Sequence, residues 1–266
     1  RALLCLPANF IAGKMMLVRA MTMGWDLHVV APEKDALTQY DNDYDFVAMV
    51  PYQVSYSFGA LGKVKKLIIG GGPISEELEE KLMEVDTEVF ETYGMTETVT
   101  HIAVRRINGL ARSEHFTALP NIRFKTDDRN CLVINAPSIS DEIVVTNDMV
   151  NLNSPTTFKW LGRYDHVINS GGVKLFPEEI EKKWATHIRL PFIISSLKND
   201  DFGECVILIV KKPKDIDLPD FSEAFAVLNK YERPKKVYSF SKFPYTSTGK
   251  IKRTKIIELL NERLNK

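Results

Sequence analysis

Five short stretches of this 266-residue chain carry residue types that can act on a phosphate, a nucleotide or a carboxylate. Near the carboxyl end, Pro244-Tyr245-Thr246-Ser247-Thr248-Gly249-Lys250 is a turn-rich loop ending in one lysine. Gly249 frees the backbone to turn closely, and Lys250 can then be presented as a point charge on a flexible stem. A P-loop is excluded, because its spacing needs glycine where Pro244 stands and Ser or Thr where Ile251 stands. Upstream, Thr92-Tyr93-Gly94-Met95-Thr96-Glu97-Thr98 gathers hydroxyls, an aromatic ring and a carboxylate. Hydroxyls can hydrogen-bond phosphate oxygens, and one carboxylate plus substrate phosphates is how Mg2+ is usually held. Gly70-Gly71-Gly72-Pro73 lets backbone approach a flat ligand or a phosphate, although Ser75 stands where a dinucleotide fingerprint wants its third glycine. Thr146-Asn147-Asp148 closes a strand, where an acidic residue can bridge a ribose diol; an Asx turn is equally open there. In the stretch from Gly162 to Glu181, Arg163 can fork onto ribose or phosphate oxygens. There too, Gly171 and Gly172 offer a backbone passage and Pro177-Glu178-Glu179 launches a helix.

These stretches need elements to hold them. The apolar run over 2–6 predicts a buried strand. Residues 11–23 have helical spacing with Ile11, Met15, Val18 and Met21 on one face, and Gly24 as the cap. Residues 25–29 alternate like a strand closed by Pro32, and 46–50 forms another, stopped by Pro51. Residues 67–69 run into the glycine turn, after which Ser75 caps a helix whose first turn carries Glu76 and Glu77. Leu78, Leu82, Val85 and Val89 supply that helix's apolar face. Strand, glycine turn, helix, strand is the grammar of an α/β sheet with crossovers. From 124 to 161 the pattern changes to short strands (131–135, 142–146, 158–161), a small antiparallel β unit. Beyond Asp165 a compact α+β domain follows: a helix from Pro177 with Ile180 and Trp184 on one face, strands at 192–197 and 205–210, a helix at 221–230 and a strand at 237–240.

Composition narrows the class. At 44% hydrophobic the chain can bury a core and divide into two domains. Lys plus Arg balances Asp plus Glu at 35 each, so no global field favours nucleic acid. No apolar run reaches 18 residues, so no membrane span is expected. Cys5, Cys131 and Cys205, widely spaced among apolar neighbours, read as reduced core thiols of a cytoplasmic protein. A homodimer stays open, dimers being common among soluble enzymes.

Taken together and in this order, GGGP, TYGMTET, TND, GRYDHVINSGGVKLFPEEIE and PYTSTGKIKR resemble the motifs of the adenylate-forming superfamily of acyl- and aryl-CoA ligases, adenylation domains and luciferases. The resemblance implies an α/β fold in which residues 1–164 form part of a large domain for ATP and the carboxylic acid. Residues 165–266 would form a small, mobile α+β domain carrying the catalytic lysine. It implies that Gly71, Gly72 and Pro73 line the adenine and acyl pocket, that Tyr93 stacks on adenine with Gly94 also at the nucleotide, and that Thr96 contacts phosphate. Glu97 would hold Mg2+, Asp148 the ribose hydroxyls with help from Arg163, and Asp165 would be the hinge. Gly171, Gly172 and Lys174 would border coenzyme A. Lys250 would bridge the attacking carboxylate and the α-phosphate.

Two departures qualify the resemblance. The superfamily's Ser/Thr/Gly-rich phosphate loop would lie upstream of Arg1, so a longer parent or a fragment is expected. Phe10 stands where relatives often have a histidine that gates the acyl pocket. Within the family, LPANFIAGKMMLVRA, GGGPIS and the compact spacing from YGMTET to TND are most similar to short bacterial ligases, the o-succinylbenzoate–CoA ligases of menaquinone biosynthesis above all. An acid with an aromatic ring and a second carboxylate needs apolar walls and a polar or cationic end. Lys14, Arg19, Thr100, His101 and Arg105 are candidates for that end. Lys14 and His101 are chosen, Arg19 being read as a surface residue. Three alternatives stay open: a ligase for another acid, an adenylation domain that loads a carrier protein, and a non-catalytic binding relative.

Overall fold

Short runs with apolar residues, each closed within a few residues by Gly or Pro, build the first half of the chain. They give β1 (Ala2–Leu4), β2 (Leu27–Val29), β3 (Tyr44–Met49), β4 (Val64–Ile69) and β5 (Glu88–Gly94), with α1 (Ile11–Met23), α2 (Pro51–Ser57) and α3 (Glu76–Met83) between them. The computed structural model describes residues 1–185, 187–188, 190–200, 202–213, 217–246 and 251–265. It divides into two compact units, Arg1–Trp160 and Leu161–Lys266, just ahead of the 164/165 division expected from the motifs.

In the first unit the strands run β2-β1-β3-β4-β5 with every neighbouring pair parallel. At β5 the direction changes. β6 (His101–Arg106), β7 (Phe116–Ala118), β8 (Arg123–Thr126), β9 (Cys131–Asn135), β10 (Val144–Ser154) and β11 (Thr157–Arg163) extend the same sheet in the order β5-β6-β7-β11-β10-β9-β8. Here β5:β6, β6:β7, β7:β11, β9:β10 and β8:β9 are antiparallel. The small β unit expected after residue 124 is therefore a continuation of the main sheet, joined through β6 and β7. Neither of those strands stood out in the sequence, because their polar and charged residues mask the alternation.

Three further expectations are corrected and one is extended. The buried face of α1 is Gly13, Met16 and Ala20, while Met21 is 75% exposed. The helix is apolar nearly all round, so apolarity alone does not select a face, whereas close packing does: a Cβ on Gly13 would lie 2.3 Å from the Pro7 carbonyl oxygen. Pro51 does stop β3, but it does so as the first residue of α2, a position its fixed φ suits. Helix α3 is capped by Ser75, which accepts from the Leu78 N–H, yet it ends at Met83, and Val89 belongs to β5. Thr146-Asn147-Asp148 does not close a strand. It sits inside β10, where the register with β9 breaks between Val145 and Met149.

The second unit holds a five-stranded sheet, β13-β12-β15-β14 with β16 parallel to β15, built from β12 (Ile168–Ser170), β13 (Val173–Leu175), β14 (Phe192–Asn199), β15 (Gly203–Lys211) and β16 (Lys236–Phe240). It carries α4 (Pro177–Trp184), α5 (Ser222–Ala226) and α6 (Arg253–Leu264). Helix α5 is shorter than the expected 221–230, because the Asn229 side chain takes the N–H groups of Tyr231 and Glu232 and turns the chain. Arg253, at the start of α6, is largely withdrawn from solvent. It donates to Glu181 Oε2 at 2.7 Å and to the Ile194 carbonyl at 2.5 Å, tying α6 to α4 and β14. Burial opposes its charge, and Glu181 and Glu178 hold it protonated nonetheless. All three cysteines are buried and outside any disulfide; burial pushes the Cys5 thiol up to about 12. Among the described residues no helix is long and apolar enough to cross a membrane.

Candidate functional site

The strands β4 and β5 end side by side, and their carboxyl ends are where open α/β sheets place ligands. A cavity of about 250 Å³ opens there, within the first unit. Leu6, Ile11, Met15 and Met49 make its wall apolar, and Gly70, Gly71, Thr92 and Thr96 bring in the glycine turn and the hydroxyl-rich loop. Gly70 permits the approach of the two ends: a Cβ would lie 2.4 Å from Thr92 Oγ1. Gly71 holds a positive φ of 83°. Gly72 and Pro73 follow it outside the cavity wall. Gly94 has a structural task of its own, since a Cβ there would lie 2.5 Å from the His101 Cα across the β5–β6 hairpin.

The polar part of the wall is Arg19, Thr100 and His101. Arg19 Nη2 lies 3.3 Å from Thr100 Oγ1 and 3.2 Å from His101 Nδ1. A guanidinium can only donate, so His101 accepts at Nδ1 and is a neutral imidazole with its proton on Nε2. Burial, then the Arg19 charge, lowers its pKa to about 4. The unfolded chain takes up this proton near pH 6.5 and the folded chain does not. The resulting stability is whole above pH 6.5 and is lost as pH falls towards 4, by up to about 3 kcal/mol. Urea titrations at pH 7 and pH 4.5 are expected to show this loss in the native chain and a smaller loss in His101→Asn; equal losses would remove His101 as the cause.

Lys14 is exposed and outside the cavity wall. The residue that turns inward is Arg19, which had been set aside as a surface residue. The spacing Ile11, Met15, Arg19, two steps of four along one helix face, was the signal that could have found it. Arg105 also lies outside the cavity. It is 7% exposed and forks onto Glu79, at 3.0 and 2.8 Å, while its Nε donates to Glu91.

Tyr93, on β5, donates its hydroxyl to Asp148 Oδ2 at 2.7 Å, and Trp160 Nε1 lies 3.3 Å from Asp148 Oδ1. The Tyr93 ring packs edge-on against Phe158, with centroids 5.1 Å apart. Although β5 and β10 are four places apart in the sheet order, this contact shows that the antiparallel half curls back over the end of β5. Thr96 and Glu97 are exposed on a one-turn 3-10 helix, Thr96–Thr98. Val99 then adopts φ 60°, ψ −46°, closed by a Thr100 N–H to Thr98 carbonyl bond of 2.5 Å. A β-branched residue with positive φ in such a γ-turn is strained, and strain of this kind collects at ligand sites. Among the described residues no three His, Cys, Asp or Glu side chains gather as a metal cage. One exposed carboxylate beside a threonine hydroxyl instead suits a cation held chiefly by substrate phosphates and water.

The remaining expected residues lie in the second unit. Arg163 Nη2 pairs with Asp165 Oδ2 at 3.0 Å, and Asp165 sits on a single 3-10 turn, Tyr164–His166, between β11 and β12. Such short 3-10 turns are frequent as connectors. Gly171 and Gly172, with φ of 57° and 80°, form the two-residue turn of the β12–β13 hairpin, a conformation that favours glycine at both positions. Lys174 is exposed on β13. Gly249 and Lys250 lie outside the described residues.

No protein-family profile matches the chain. It is 35% identical to an acyl-CoA synthetase (AMP-forming)/AMP-acid ligase II-like protein from Dyadobacter fermentans, covering 97% of this chain and 78% of that one with a TM-score of 0.60. The 2-succinylbenzoate–CoA ligase of Staphylococcus epidermidis is 25% identical over 98% of the chain. The chain spans 62% of the length of that relative. The o-succinylbenzoate CoA synthetase of Bacillus subtilis, solved with its acyl-adenylate intermediate, shares the fold at a TM-score of 0.78 and 19% identity, over 96% of this chain and 60% of that one. With its motifs in the superfamily's order and a relative of this identity and coverage, the chain belongs to the adenylate-forming family of AMP-forming acyl-CoA synthetases.

Proposed function

We propose that the protein containing this chain is a cytoplasmic ATP-dependent acid–thiol ligase acting on o-succinylbenzoate in menaquinone biosynthesis. The carboxylate oxygen attacks the α-phosphorus of ATP, the bond to the β-phosphate oxygen breaks, and pyrophosphate leaves. The thiolate of coenzyme A then attacks the acyl carbon of the adenylate, and AMP leaves with the bonding pair. The observation that carries the reading is the cavity: an apolar wall ending in Arg19, Thr100 and His101, beside the glycine turn and the hydroxyl-rich loop. An aromatic acid with a second carboxylate matches that division, its ring against Ile11 and Met15 and its far carboxylate at the Arg19 guanidinium.

In this reading Tyr93 stacks on adenine, Asp148 and Arg163 bind ribose, Thr96 meets phosphate, and Mg2+, held by Glu97 and the phosphates, supplies charge neutralisation. Gly71, Gly72, Pro73 and Gly94 border the nucleotide. Asp165 is the hinge, Gly171, Gly172 and Lys174 border the pantetheine arm, and Lys250 is the catalytic lysine. The homodimer gains no support from these findings.

ATP–pyrophosphate exchange on the whole gene product, with o-succinylbenzoate, benzoate and a medium-chain fatty acid offered separately, tests the proposal. Exchange confined to o-succinylbenzoate is the expected result. Exchange with another acid instead would keep the chemistry and discard the substrate. No exchange with any of the three would overturn the proposal as stated.

A further inference from the structure

Asp148 is 8% exposed and sits where β10 loses register with β9. A break in register re-aims a side chain away from the regular ladder direction, and the contacts it then makes set its direction. Its own N–H donates to Thr146 Oγ1 at 3.0 Å, and that hydroxyl in turn donates to the Leu132 carbonyl at 2.8 Å, which pins the backbone. The carboxylate is gripped from two sides by aromatic donors, Tyr93 from β5 on Oδ2 and Trp160 from β11 on Oδ1. Two donors on two oxygens determine the plane of a carboxylate, which a single donor would leave free to rotate. Each oxygen has more than one acceptor position, so an oxygen that accepts from Trp160 can accept from a ligand hydroxyl as well.

We infer that Trp160 is a positioning residue for nucleotide binding: its indole N–H fixes the plane in which the Asp148 carboxylate meets the two ribose hydroxyls. The inference rests on the ribose assignment proposed for Asp148. The indole packs at the margin of the aromatic cluster of Phe116, Phe124 and Phe158, so phenylalanine can keep the packing and lose only the donor. Trp160 itself is not required to touch the nucleotide.

The test is equilibrium binding of ATP and of 2′,3′-dideoxy-ATP, which lacks both ribose hydroxyls, to the native protein and to Trp160→Phe. Native protein is expected to prefer ATP by about tenfold or more, one to two charge-assisted hydrogen bonds being at stake. Trp160→Phe is expected to lose about five- to tenfold in ATP affinity, with dideoxy-ATP binding unchanged within about twofold. Equal loss for both nucleotides, or none for ATP, would overturn the positioning role while leaving the ribose reading of Asp148 in place. A native protein that does not distinguish the two nucleotides would overturn that ribose reading, and this inference with it. Should Trp160→Phe fail to melt cooperatively, Tyr93→Phe removes the opposite donor and keeps the ring. It is expected to show the same selective loss for ATP, and an unselective loss there counts against the inference in the same way.

Discussion

Exchanging Arg105 for methionine is expected to destabilise the first unit by about 3 to 5 kcal/mol, the usual result of removing one partner from a buried ion pair. The guanidinium lies between Glu79 of α3 and Glu91 of β5, with both Arg105 and Glu79 7% exposed. Burial alone would lower the Arg105 pKa. The hydrogen bond that Arg105 donates to Glu79 and the charges of Glu91 and Glu79 outweigh it, so the group stays charged. Methionine fills a similar volume but removes the cation that the Glu79 and Glu91 carboxylates share. In thermal unfolding the loss corresponds to a fall on the order of 10 °C for a unit of this size. Adding Glu79→Leu and Glu91→Leu to the same chain is expected to recover most of it, because an apolar replacement of a whole buried charged cluster is often neutral or better. A triple variant no more stable than Arg105→Met would show that the cluster is not the cause.

Lys250→Ala is expected to slow adenylation about a thousandfold while thioester formation from a pre-made adenylate stays near the native rate. Charge gathers around the α-phosphorus in the transition state, and fixed opposite charge does most of the catalysis in such transfers. A cation about 4 Å from a unit charge at an effective dielectric of ~20 is worth roughly 4 kcal/mol. Realised only in the transition state, that is on the order of 10³ in rate. Single-turnover kinetics on the two half-reactions separate the outcomes. Equal loss in both would remove Lys250 from the adenylation step. This prediction stands on the motif around Lys250, which lies outside the described residues.

The elements that were legible in the sequence are those whose local chemistry decides the matter. Gly24 past the end of α1 and Ser75 before α3 are cap residues, and Pro177 opens α4 at the position where its fixed φ fits and its missing N–H is not needed; each does that local task. What stayed hidden depends on partners distant in sequence. Nothing near Arg105 reveals that Glu79 and Glu91 wait for it, so an arginine following TYGMTET looked like a ligand contact. Arg19 looked solvated because the acceptors that draw it inward, Thr100 and His101, lie some 80 residues away. The glycines show a third situation. Gly94 stood out as part of a nucleotide motif, and its neighbours across the hairpin give it a steric reason to be glycine whether or not a nucleotide is bound.

The burial of all three cysteines has a practical consequence. Cys5 directly follows β1 of the parallel strands, Cys131 lies in the antiparallel ones and Cys205 in the sheet of the second unit, each of them buried. A thiol reagent can reach them only when the surrounding segment opens, and proteins open segment by segment with different free energies. The native chain therefore carries three internal clocks, one for each region. The order in which they are labelled ranks the regions by how readily each comes apart, with no substitution introduced.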